Sequence, residues 1–212
     1  MTAHDIHRGR FISLEGGEGV GKSTQVKALA AALRERGLEV VETREPGGSE
    51  GAEEIRKLLL SGTEDRWGAE AEALLFAAAR TDHMDKTIRP ALNAYKWVLS
   101  DRFVDSSMAY QGGAGSLGIE TVRDINGFGI GEWFPDRTLV LVLDEGADRA
   151  RARDTAGSDR IGGRNADYHH KVGLAFRLIA AEEPDRVKLI DASGEAAQVT
   201  DRLLDAIQDL LP

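Results

Sequence analysis

Apolar positions in this chain fall into two alternating patterns. Short near-continuous apolar runs occur at Phe11-Ile12-Ser13-Leu14, Leu38 to Val41, Lys96 to Ser100, Arg137 to Leu143 and Val187 to Ile190, and read as strands. Between them, apolar residues recur at helical spacing. Val26, Leu29, Ala30 and Leu33 mark a helix over Ser23 to Arg36 that Gly37 stops. Further helices are predicted over Glu50 to Leu60, the alanine-rich Glu70 to His83, and Thr87 to Ala94, where Pro90 is tolerated only near the start or at a kink. A closing amphipathic helix spans Ala196 to Leu210. Buried strands alternating with helices predict an α/β, three-layer architecture: a five-stranded parallel sheet flanked by helices on both faces. Ligands of such sheets sit beyond the carboxyl ends of the strands. The loops after Leu14, at Arg44-Glu45-Pro46-Gly47-Gly48 and at Asp101-Arg102 all fall at such ends.

The first of these loops carries the most specific chemistry. Gly16-Gly17-Glu18-Gly19-Val20-Gly21-Lys22-Ser23 fits G-x-x-x-x-G-K-[ST] between a strand and a helix. That pattern turns backbone N–H groups around phosphates, with Lys22 reaching the outer phosphates and the Ser23 hydroxyl available to Mg²⁺. Gly16 through Thr24 is therefore the expected ATP-binding segment, aimed by a helix N-terminus whose partial positive charge favours anions.

Composition narrows the setting. A chain of 212 residues, 42% hydrophobic and 30% charged, is expected to form one domain over residues 1–212. No cysteine is present, which excludes disulfides, thiolate catalysis and zinc ribbons and leaves a metal role to oxygen-ligated Mg²⁺. A net charge of -9 argues against a nucleic-acid partner. No apolar segment approaches a membrane span, and Met1 to Arg10 has charge where a signal peptide has an apolar run, so the expectation is a cytoplasmic protein.

Two further charged groups are candidates for the same site. Asp101 is placed to hold a water on Mg²⁺ beside Ser23, and Arg102 to fork onto a phosphate; the plainer alternative is a capping aspartate with a surface arginine. Arg149, Arg151, Arg153 and Arg160 surround a glycine-containing stretch, which reads either as a short lid over about 149–165 bringing cationic charge to a transferring phosphoryl group, or as a basic helix with a solvated turn.

Taken together, these motifs resemble the thymidylate kinase family along nearly the whole chain. Thr43 to Gly48 is similar to its T-R-E-P-G-G segment, Leu75 to Arg80 to its base-binding helix, and Asp101 to Gly112 to its D-R-x-x-x-S-x-x-A-Y-Q-G run. Pro135-Asp136, Asp159-Arg160 and Glu183-Pro184 are weaker matches. The resemblance implies a nucleoside monophosphate kinase-like P-loop fold that transfers the γ-phosphoryl group of MgATP to dTMP, and a homodimer packed through helices, with Ala71 to Ala79 or Phe128 to Phe134 as possible faces. It implies that Phe76 stacks on thymine, Arg80 donates to a thymine carbonyl, Tyr110 crowds the sugar, and Ser107 and Gln111 line the same pocket. Arg102 and Arg44 attend the acceptor phosphate, Glu18 approaches the sugar hydroxyl, and Glu45-Pro46 is a cis peptide. On the residues alone, Phe76 reads rather as core in an alanine-rich helix and Tyr110 as a loop cap.

One branch of the family carries an arginine where this chain has Gly19, so the chain resembles the bacterial-type branch, in which a lid arginine supplies that charge. With Lys22 and Arg102, the expected catalytic cations are Arg153 first, then Arg149 and Arg160. Family members commonly follow Asp-Arg with x-Glu and further acids, whereas Asp159-Arg160-Ile161 leads here into Gly162-Gly163-Arg164. Two other functions stay open on the residues: a kinase for a different nucleoside monophosphate, and a P-loop nucleotide switch or binding module. The second is disfavoured because Leu143-Asp144-Glu145-Gly146 stands where a guanine-reading Asn-Lys-x-Asp motif belongs.

Overall fold

The structure, a computed structural model, describes residues 8–131, 133–143 and 160–212. Arg149, Arg151 and Arg153, and with them most of the expected lid, lie outside the described residues. Five strands, β1 (Phe11–Gly16), β2 (Val40–Arg44), β3 (Trp97–Asp101), β4 (Arg137–Val142) and β5 (Val187–Asp191), form one sheet in the order β2-β3-β1-β4-β5. Every pairing is parallel. Parallel neighbours need crossovers, and helices supply them. In chain order these are α1 (Lys22–Glu35), α2 (Glu50–Leu60), α3 (Ala69–His83), α4 (Arg89–Asn93), α5 (Val104–Ser107), α6 (Ile119–Ile130), α7 (Ala166–Glu182) and α8 (Ala196–Asp205).

The central strand shows why both faces must be covered. All six β1 residues are buried, and successive side chains alternate between layers. Ile12 and Leu14 join Leu99, Leu139 and Leu141 under α1 and α8, where Leu29, Leu33 and Leu203 close the layer. Phe11 points the other way, with Val98, Phe103, Met84 and Leu92. A further layer packs Met108, Val122, Val140 and Phe176 together.

Three departures from the expected elements have physical causes. The second strand lies at 40–44 rather than 38–41, because β2 is an edge strand whose partly exposed positions accept Glu42, Thr43 and Arg44. The predicted 87–94 helix is preceded by a wide π-helical turn, Met84–Ile88, which carries α3 into α4 with Pro90 at its first turn. Helices α5, α6 and α7 were not anticipated. Glycines disguise them: α6 contains Gly127 and Gly129, and the π-helical turn Met108–Ala114 after α5 contains Gly112 and Gly113. Gly113 is needed for packing, since a Cβ there would come within 2.5 Å of Ala175 Cβ on α7.

Candidate active site

The carboxyl ends of β1, β2 and β3 bring three loops together. β1 ends at Gly16, which has φ +130° and lies so close to β4 that a Cβ would stand 2.5 Å from the Leu141 carbonyl oxygen. The glycine loop then enters α1 through Gly21, also left-handed at φ +101°. Lys22 is buried, and its ammonium donates to the carbonyls of Gly17 at 2.6 Å and Gly16 at 3.2 Å. Burial, and the neighbouring Arg102, bring its pKa down to about 8 against the opposing pull of Glu18. The Ser23 hydroxyl donates to the Asp101 carboxylate at the end of β3.

Arg102 turns sharply out of β3. Its φ of +73° is strained for a residue with a side chain, and its N–H still donates to Leu14 O at 3.0 Å. The guanidinium donates to Glu18 at 2.6 Å, to Gly16 O and Ser106 Oγ at 3.2 Å, and lies 5.1 Å from the centre of the Tyr110 ring. Tyr110 also donates its hydroxyl to Glu18 at 3.1 Å. Burial pushes Glu18 up, but Arg102 and Lys22 outweigh it and its carboxyl sits below the ordinary value. Burial, reinforced by Glu18, raises the Tyr110 hydroxyl, which therefore stays a neutral donor. Glu18 is thus aimed at Arg102 and Tyr110.

Behind this group, Glu15 at the inner end of β1 is fully buried. It accepts the Phe103 N–H at 2.7 Å and the Ser106 hydroxyl at 2.5 Å. Burial and the nearby Asp105 raise its pKa to about 8. Asp105 itself is held twice by Arg186 at 2.7 Å and by Thr138 at 2.7 Å.

The far wall comes from α3 and the β2 loop. The Glu45-Pro46 peptide is cis, as the resemblance implies. Glu45 is buried and accepts from Arg80 Nε at 2.7 Å, with its other oxygen 3.0 Å from His83 Nδ1. Arg80, 2% exposed, also donates to Asn126 and to Phe103 O. A buried guanidinium requires such a counterion. Phe76 is half-buried against the core, and Arg44 stays exposed with Glu53 at 3.0 Å.

A cavity of about 220 Å³ lies between these walls. All of the expected acceptor residues line it: Glu18, Arg44, Phe76, Arg80, Arg102, Ser107, Tyr110 and Gln111. Ser23 and Asp101 reach the same cavity. The Ser107 hydroxyl is buried with no partner, so it is available to a ligand. Arg160 differs from the other arginines considered for the phosphoryl group. Its side chain is fully buried and committed to Leu59 O, Glu64 O and Glu72, so here it serves as a packing cation rather than a free one. Glu45, Arg56, Ser106, Ile161 and the buried Glu72 also belong to the site or its support and were not singled out from sequence. Glu45 stood within a recognisable motif; no local signal marked Glu72.

Ser23 and Asp101 supply a hydroxyl and a carboxylate in contact with each other, a hard-oxygen pair suited to Mg²⁺. No cluster of three or more acidic or histidine ligands occurs among the described residues, so most ligands of such an ion would come from nucleotide and water.

Comparison with known proteins agrees with the geometry. A family model described as Thymidylate kinase matches residues 14–203. A thymidylate kinase of Rhizorhabdus wittichii is 59% identical over 206 residues, covering 96% of this chain and 99% of that one. One from Bradyrhizobium sp. is 49% identical over 207 residues, covering 96% and 92%. The crystal structure of thymidylate kinase from Ehrlichia chaffeensis superimposes with a TM-score of 0.77 at 30% identity, over 94% of this chain and 98% of that one. With the glycine loop, the Asp101-Arg102 turn and the α3 wall around one cavity, this chain belongs to the thymidylate kinase family.

Proposed function

We propose that this chain transfers the γ-phosphoryl group of MgATP to dTMP, giving dTDP and ADP. The observation that carries this reading is the cavity beside the phosphate loop, where an aromatic face, a buried arginine, an unpartnered hydroxyl and an acceptor-side guanidinium converge. Phe76 stacks on the thymine, and Arg80, already fixed by Glu45 and Asn126, offers its remaining N–H groups to a carbonyl. Tyr110 and Glu18 meet the deoxyribose, leaving little room for a 2′-hydroxyl. Arg102 and Arg44 receive the dTMP phosphate.

A phosphate monoester has a second pKa near 6, so the acceptor is already mostly dianionic at neutral pH and no general base is needed. Catalysis reduces to alignment and charge neutralisation. The backbone N–H groups of Gly16 to Thr24 hold the donor phosphates, and Lys22 reaches the outer ones. Contact with phosphate also offsets the burial that lowers the Lys22 pKa and so keeps its ammonium charged. Ser23 and Asp101 would hold Mg²⁺, which supplies charge neutralisation on the triphosphate when bound. Arg153, with Arg149 as second choice, brings the cation that Gly19 does not. Arg160, locked to Glu72, anchors the chain beside the cavity.

The protein acts as a homodimer through the α3–α6 surface. Leu74 on α3 and Phe128 on α6 are 57% and 99% exposed, apolar side chains that such an interface would cover. Among the described residues no helix is long and apolar enough to cross a membrane, and the reading places the enzyme in the cytoplasm.

The test is a panel of dTMP, dUMP, CMP, GMP and AMP with MgATP, read as ADP release together with acceptor consumption. Fastest turnover on dTMP, with one ADP per dTDP, is the expected result. Faster turnover of CMP, GMP or AMP, or ADP release without acceptor consumption, overturns it.

A further inference from the structure

Behind the cavity wall lies Glu72, in the first turn of α3 and 2% exposed. One of its oxygens accepts from Gln111 Nε2 at 2.9 Å. The other accepts from Arg160 and, at 2.8 Å, from Arg164. Arg164 continues the network. It donates to the Tyr168 hydroxyl at 2.6 Å and lies 4.6 Å from that ring's centre, and Tyr168 donates in turn to Tyr110 O at 2.8 Å. Gln111 and Tyr110 both line the acceptor cavity. The network therefore reaches the cavity wall at two consecutive residues while Glu72 itself lies behind it.

A carboxylate between two guanidinium groups can only accept hydrogen bonds, so the group of Gln111 that faces it must be the amide nitrogen. The amide oxygen and one N–H are then left for the cavity in a set order. We propose that Glu72 is a specificity-determining positioning residue: paired with Arg160 and Arg164, it fixes the orientation of the Gln111 amide and so the donor–acceptor pattern that the acceptor nucleotide's base meets. The inference rests on the reading of this cavity as the dTMP site. Thymine and cytosine bases differ in that pattern, a carbonyl and an N–H in one standing where the other has an amine and a ring acceptor.

Glu72→Gln leaves one acceptor oxygen in place of two, and Arg160 and Arg164 hold it. The new amide nitrogen then faces Gln111, whose amide must turn its oxygen toward it and show N–H groups to the cavity. The experiment measures kcat/KM for dTMP and for dCMP, together with the Kd of each by calorimetry, in the wild-type protein, E72Q and E72D. With a mispaired buried hydrogen bond as the cost, the dTMP:dCMP preference in E72Q falls about tenfold, through KM and Kd more than through kcat. E72D, still acceptor-only, recovers part of that preference. A folded E72Q whose preference stays within twofold of wild type, in both binding and kcat/KM, overturns the proposal. Where E72Q does not fold, E72D alone decides: its carboxylate is one methylene shorter and withdraws from Gln111, so a fall of a few-fold in the Kd preference supports the role, and an unchanged preference removes it. A wild-type protein that binds dTMP but does not phosphorylate it refutes the catalytic reading alone, because the Kd preference still reports on Glu72.

Discussion

Glu15→Gln is the most quantitative test of the site's buried electrostatics. Glu15 lies fully buried at the inner end of β1, and burial plus Asp105 raise its pKa to about 8 from an ordinary 4.5. The folded state therefore holds a proton between pH 4.5 and 8 that the unfolded state releases. Because the folded-state pKa is the raised one, this group's contribution is fully present below the unfolded value and is lost as pH rises toward 8. The slope is about 1.4 kcal/mol per pH unit for one proton. Glutamine has no proton to lose, yet its neutral amide keeps an acceptor for the Phe103 N–H and a polar partner for Ser106. The unfolding free energy of E15Q minus that of wild type should therefore grow by about 3 kcal/mol between pH 5.5 and 7.5, by the same slope. Urea titrations at half-unit pH intervals measure it, and taking the difference cancels the other titrating groups. Turnover at pH 7 stays close to wild type, because glutamine matches the protonated acid. A difference that does not change with pH refutes the assignment of a buried, neutral Glu15.

Two further outcomes test the catalytic and quaternary readings. Arg153→Ala lowers kcat on the order of a thousandfold with a smaller change in dTMP affinity, as expected of an arginine that meets only the transferring phosphoryl group; an unchanged turnover number removes that role. Phe128→Glu places a charge on a side chain that is 99% exposed and shifts the protein to monomers in light scattering, whereas a monomeric wild-type protein at micromolar concentration would discard the α3–α6 interface.

Much of the fold could be read from pattern because it depends on local periodicity. β1 and α1 are unambiguous, since Phe11-Ile12-Ser13-Leu14 is buried on both faces and the α1 stripe is regular. β2 was misplaced by two residues because an edge strand needs no continuous apolar run. Helices α6 and α7 escaped notice where packing overrides propensity. Gly129 sits in α6 because a Cβ there would stand 1.8 Å from Thr81 Oγ1 on α3, so the residue that weakens the helix signal is the one that lets the two helices meet. The site followed the same division. Lys22, Ser23 and Arg102 are marked by contiguous motifs, whereas Glu72 and Asn126 take partners 39 to 92 residues away.

By itself, the sequence determined the phosphate loop, the existence of the five strands and many of the side chains that line the cavity, because backbone geometry and periodicity are encoded over a few neighbouring residues. Tertiary structure decided what those side chains do. It gave Arg80 a buried counterion in Glu45, turned Glu18 onto Arg102 and Tyr110, and paired Arg160 with Glu72. The physical reason is that a charge's role depends on its burial and on which opposite charge stands within hydrogen-bond reach. Both are properties of residues brought together through space by the sheet.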